Sequence, residues 1–286
     1  MGFEIPAAIA DQVLGRPPAE VATARDAATV VLLRDATGSR GGIEVYLLRR
    51  VQAMAAFGGM TVFPGGGVDP ADVADVELPW FGPAPEEWCG KLSAGTALAR
   101  GLVCAAVRET FEESGVLLAG PGPDQVVPDT TEWEAERQAL EARDLSLSTL
   151  FADRGLYLRA DLLQPWAHWV TPEIEHRRFD TRFFVAALPA GQRTRDVAGE
   201  ADHVAWVRPA DALAELARGE RVMVPPTALT LEDLTEFDTV ADVLAAAPAR
   251  RVAPVMPKLH RGDDGTVRFL VPGDHGYDEL PSLGAL

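Results

Sequence analysis

The chain has 286 residues, a hydrophobic content of 47% and a formal net charge of -17. That acidity argues against a nucleic-acid polymer as partner, because an acidic surface repels a phosphate backbone. No stretch approaches the ~18 apolar residues of a membrane span, so no membrane is expected, and Cys89 and Cys104 show neither metal nor redox spacing.

Residues 1–24, rich in Ala and Pro, read as an arm with a short helix. Segments 27–33 and 43–48 predict paired strands with the turn at 35–42, and 60–63 predicts another strand. Pro64 ends it, and Gly65-Gly66-Gly67 follow. Glycines permit positive φ and let the backbone approach a metal or phosphate closely. An ordinary tight turn is the competing reading. There is no P-loop, since no Gly-Lys-Ser/Thr follows. The stretch with Trp80, Pro83, Pro85 and Trp88 reads as irregular. Leu98, Leu102, Val103, Ala106, Val107 and Phe111 form an apolar stripe that predicts a helix over 97–114. Gly115 sits where a left-handed C-terminal residue is needed. Residues 116–118 should return to the sheet, 121–128 form a loop and 132–143 an acidic helix. Strands follow at 166–170, 181–187 and 204–207, then helices at 210–218 and 231–247. The tail from residue 248 is expected to wrap the surface. Interleaved helices, strands and hairpins predict an α/β/α sandwich on a mixed sheet.

Glu109, Glu112 and Glu113 fall at i, i+3 and i+4, on one face of the last helical turns. Like charges at this spacing repel, and the helix C-terminus is itself partially negative. A divalent ion removes both penalties, and magnesium takes oxygen ligands of this kind. Arg108 could pair with one carboxylate and fix its rotamer. A solvated acidic helix end is the competing reading. The concentration of the acids, and the glycine run after a strand, favour the metal site.

Other clusters say less. Arg177, Arg178 and Arg182 beside Phe179 and Phe183 fit either phosphate recognition or a strand with solvated charges. Trp166 and Trp169 fit base stacking or core. The five histidines lack zinc-type spacing, and no Gly-x-Ser-x-Gly elbow occurs.

Taken together these residues resemble the Nudix hydrolases, whose signature is Gly-x5-Glu-x7-Arg-Glu-U-x-Glu-Glu-x-Gly-U, with U a bulky apolar residue. Arg108, Glu109, Glu112, Glu113, Gly115 and Val116 match its second half, with Thr110 at a U position. The first half starts at Gly66 and places Asp72 where the family has glutamate. Thirty-five residues then separate Asp72 from Arg108, so the box is split by an insertion at about 73–100. A long insertion there is similar to the branch of peroxisomal coenzyme A diphosphatases. Trp169-Val170-Thr171-Pro172-Glu173, 178–184 and Val224-Pro225-Pro226-Thr227 look like that branch too. Of an upstream coenzyme A element, Arg50, Gly59 and Phe63-Pro64-Gly65-Gly66 are in register, while Val51 and Ala55 replace a serine and an arginine.

The resemblance implies a Nudix-type α/β/α sandwich around a mixed β-sheet. One domain is expected over 25–247, with an arm at 1–24 and a tail at 248–286 packed on it. The implied activity is metal-dependent cleavage of the diphosphate linkage of a nucleoside diphosphate derivative. Coenzyme A or its acyl derivatives lead; ADP-ribose, NADH and dinucleoside polyphosphates are alternatives. Glu109, Glu112, Glu113 and the Gly65 carbonyl would hold Mg2+ or Mn2+, and Arg108 would orient a glutamate. The base would be a box glutamate or Glu200, with Glu173 behind. Arg50, Arg178 and Arg182 are candidates for binding a small phosphorylated nucleotide-type substrate. A homodimer is common in the family. No secretory signal is evident, and Leu283-Gly284-Ala285-Leu286 is no peroxisomal address of the Ser-Lys-Leu type, so a cytoplasmic location is expected. A non-catalytic Nudix-fold nucleotide-binding module is the alternative of another class, although such proteins usually lose box glutamates. An acidic interaction protein would require the match to be chance.

Overall fold

A computed structural model describes residues 3–4, 20–38, 41–51, 59–74, 78–195, 201–262 and 266–280. The expected helix in the arm at 1–24, Ala55 and Glu200 lie outside them. The chain divides into two compact units, one of residues 27–167 and 182–252, the other of 1–26, 168–181 and 253–286.

In the larger unit, strands Arg25–Asp35 (β2) and Ile43–Arg50 (β3) form an antiparallel pair with Leu33 opposite Val45. Strand Ala201–Val207 (β11) pairs antiparallel with β3, Thr61–Val62 (β4) pairs with β3, and Gly65–Gly67 (β5) pairs with β2. Strands Phe179–Ala187 (β10) and Gln164–Val170 (β9) continue the order β11–β3–β2–β10–β9. On β2, Val30 and Leu32 join the main core while the alternate residues Val31 and Leu33 are equally buried. Burial on both faces requires a layer on each side, as a sandwich provides.

The central helix is Thr96–Ser114 (α3 in chain order), after Pro70–Ala74 (α1) and Pro85–Leu92 (α2). It buries thirteen of its nineteen residues. Gly115 ends it at φ 73°, donating its amide to the Phe111 carbonyl. Thr110 fits a position that the signature makes apolar, because its hydroxyl bonds the Ala106 carbonyl at 2.7 Å inside the helix. A Cβ on Gly101 would come within 2.7 Å of Val73, so a glycine there lets α1 lie close against α3.

Several expectations need correction. The inserted segment is not irregular: it contains α2, which has Pro85 at its N-terminus and buries Trp88 and Leu92 one turn apart. Residues 116–118 do not return to the central sheet. They lead to Ala119–Gly120 (β7), in a small sheet with Trp80–Phe81 (β6) and Tyr157–Arg159 (β8). The helix expected over 231–247 is two, Pro225–Leu234 and Val240–Ala246, because Thr239 caps a new start by accepting the Asp242 amide.

The smaller unit holds strands Lys258–Arg261 and Val267–Leu270, paired antiparallel, with the first strand of the chain, Phe3–Glu4 (β1), alongside the latter. Pro254–Val255 runs parallel to His168–Trp169, which makes the strand set mixed. The tail is therefore regular structure and not merely a wrapping segment.

Trp88 is 2% exposed and meets Phe184 edge-on at 5.9 Å. Trp88→Ala should cost about 3–5 kcal/mol of unfolding free energy in a denaturant titration, since it would hollow a shared core; an irregular, loosely attached insert would give almost no loss.

Candidate active site

The acids of α3 and the glycines of β5 meet in the larger unit. Gly65 donates its amide to Glu113 Oε2 at 2.7 Å. The group seen to engage the site is thus its amide, whereas its carbonyl was the expected ligand. A Cβ on Gly66 would collide with the Glu109 carboxylate. None of the three glycines has positive φ, so they serve close approach within an extended strand and not a turn.

Arg108 is the hub. Its Nε and Nη2 donate to the two oxygens of Asp72 at 3.1 and 2.8 Å, and Nη2 also donates to the Gly67 carbonyl at 2.9 Å. Nη1 donates to Glu109 at 2.7 Å and to Glu112 at 3.1 Å. Asp72 is 4% exposed and also accepts the Asp69 amide at 2.8 Å. The aspartate at the signature's glutamate position thus reaches its arginine across the insertion.

Burial opposes the charge on Arg108, but the hydrogen bond to Asp72 and the charges of Glu109, Asp72 and Glu112 outweigh it and hold its pKa above the ordinary value. For Glu112, burial and then the Glu109 charge push the pKa up to about 7, partly offset by Arg108. Glu112 Oε1 is buried with no hydrogen-bond partner.

Among the described residues no three His, Cys, Asp or Glu side chains form a ready cage for a metal; the Arg108 guanidinium lies among Asp72, Glu109 and Glu112. The residues nonetheless fit a hard divalent cation, because every acidic donor is an oxygen and Glu112 Oε1 is an orphan that a cation would satisfy.

Of the other candidates, Arg50 lies beside the acids, with Nη1 3.9 Å from Glu113 Oε1. Arg182 is 3% exposed and donates to the Leu92 carbonyl at 3.1 Å, which is structural work. Arg178, in the smaller unit, donates to the Thr171 and Ala22 carbonyls at 3.0 and 2.8 Å. These bonds account for both arginines within the fold, so neither is retained as a substrate ligand. Arg137 was missed. It is 2% exposed, bonds Glu134 and Glu141, and donates to the Glu112 carbonyl at 2.7 Å. It supplies a cation at the C-terminal turn of the acidic helix. The spacing Glu134, Arg137, Glu141 was its signal in the sequence.

The family model for the NUDT19 Nudix domain matches residues 95–234. The chain is 28% identical to the acyl-coenzyme A diphosphatase NUDT19 of Xenopus laevis, over 84% of this chain and 73% of that one. It is 27% identical to the human protein of the same name, over 83% and 73%. The chain is thus most like the NUDT19 type of Nudix hydrolase. The solved NUDIX hydrolase of Alicyclobacillus acidocaldarius superposes with a TM-score of 0.62 at 28% identity, over 78% of this chain and 96% of the other. The family match begins at residue 95, within the last residues of the insertion, so Gly66 and Asp72 lie outside it and join the box on geometry.

Folded Glu112 holds its proton more tightly than the unfolded chain does. Its contribution to stability is complete below a pH of about 4.5 and is lost as pH rises through about 7. Thermal melts in chelator from about pH 5 to pH 8 should show this fall, and Glu112→Gln should flatten it; equal slopes in the two proteins would contradict the assignment.

Proposed function

We propose that the enzyme hydrolyses the diphosphate linkage of coenzyme A or its acyl derivatives, using Mg2+ or Mn2+. Two relatives that bear the name acyl-coenzyme A diphosphatase support the substrate class. The observation that carries the hydrolytic reading is the closed cluster of Asp72, Arg108, Glu109, Glu112 and Glu113 beside Gly65 and Gly66. Glu109, Glu112, Glu113 and the Gly65 carbonyl would hold the cation, which when bound neutralises phosphate oxygens and lowers the pKa of water.

The chain's own residues do the rest. Arg108 fixes the rotamers of Glu109 and Glu112 and ties them to the first half of the box. The Gly65 amide orients Glu113. Arg50, close to Glu113, is placed to meet a substrate phosphate. A water attacks one phosphorus, the bridging P–O bond breaks, and the water's proton passes to a carboxylate. That base is a box glutamate or Glu200. The same reading takes the enzyme to be cytoplasmic and able to pair as a homodimer. Among the described residues no helix is long and apolar enough to cross a membrane.

Incubation with coenzyme A, acyl-coenzyme A, ADP-ribose, NADH and dinucleoside polyphosphates plus magnesium tests the proposal. Coenzyme A species should turn over fastest, and Glu113→Gln should lower kcat by about two orders of magnitude or more. No turnover of any substrate, or an undiminished variant, would refute it.

A further inference from the structure

Apart from the acidic centre, the larger unit has a cavity of about 340 Å³ of the opposite character. Its lining includes Lys91, Arg250, Arg251, Gln164, Pro165 and Val252, and no aspartate or glutamate. In a chain with 43 acids against 26 Lys and Arg, an acid-free wall with three cations is not what composition alone produces. Lys91 is one of only two lysines in the chain. It comes from α2, inside the insertion that splits the box.

The cations are supported. Arg250 stacks on the Trp166 ring, its guanidinium carbon 4.2 Å from the centroid, and donates Nε to the Trp166 carbonyl at 2.7 Å. It also pairs with Asp233, which offsets its charge and fixes its fork. Lys91 Nζ lies 5.7 Å from the ring centroid of buried Trp88. Arg251 is exposed at the rim. The remaining positive charge, Lys91 and Arg251, faces the same space as the Gln164 amide. A planar guanidinium suits phosphate oxygens, a lysine adds a point charge, and the volume suits a small ligand.

We infer that this cavity is a second, anion-binding site, for a phosphate monoester or free phosphate, contributed in part by the insertion. It does not depend on the hydrolase reading, because the acids of the Nudix box play no part in it. The phosphate belongs either to the substrate or to a free effector.

The test uses the full-length protein carrying Glu113→Gln, in chelator, titrated calorimetrically with inorganic phosphate. Without metal the acidic centre repels phosphate, so saturable binding reports the cavity. The double variant Lys91→Glu, Arg251→Glu should bind at least about tenfold more weakly. Both side chains are exposed, and an unchanged melting temperature will show that the fold survives. In turnover assays of the unaltered enzyme, phosphate that raises KM alone assigns the site to the substrate. Phosphate that changes kcat assigns it to an effector. Either supports the inference when the double variant Lys91→Glu, Arg251→Glu abolishes the effect, because the metal-loaded centre can itself take phosphate. Absent binding, or binding unaltered by the charge reversals, overturns it. A failed hydrolase reading would appear only as absent turnover, leaving the calorimetry to decide.

Discussion

The guanidinium of Arg108 joins the two halves of a box that the chain keeps 36 residues apart. It takes both oxygens of Asp72 on one side and the carboxylates of Glu109 and Glu112 on the other. A buried ion pair adds little over an apolar replacement, but removing one partner strands a charge at about 3–5 kcal/mol. Such an arrangement enforces geometry more than it adds stability. The insertion is tolerated because its ends return to the same place. Helix α1 can lie against α3 only because Gly101 has no side chain, and that contact delivers Asp72 to Arg108.

The same cluster shows how four carboxylates can share the end of one helix. The C-terminal carbonyls make that end negative already. Arg108 neutralises three of the acids in part, the Gly65 amide serves the fourth, and Arg137 places a buried cation on the Glu112 carbonyl. What remains uncompensated falls on Glu112, whose carboxyl is pushed up to about 7 and whose Oε1 has no partner. A site left one cation short in this way is prepared for a divalent ion and for a diphosphate that arrives with it.

Much of this was legible in the sequence. The helix, its Gly115 stop and the spacing of Glu109, Glu112 and Glu113 are local facts, written within a few residues. The strands around Leu33 and Val45 declare themselves by apolar runs. Of the two properties expected of the glycine run, positive φ is not used and close backbone approach is, to the Glu109 and Glu113 carboxylates; that proximity is tertiary. Trp88 and Leu92 lie one turn apart, but the prolines around them masked a short helix. Arg178 and Arg182 looked like phosphate ligands because sequence shows charge and not burial; inside the fold their donors meet backbone carbonyls. Asp72 looked like a weakness in the signature, since nothing local says that 35 intervening residues fold back.

The central claim is that Asp72 and Arg108 act as one unit across the insertion. The most direct measurement is a double-mutant cycle on unfolding free energy in chelator, with Asp72→Asn, Arg108→Met and the pair. A coupling energy of about 1–3 kcal/mol is the predicted result. Additivity within about 0.5 kcal/mol would contradict it and leave the box divided.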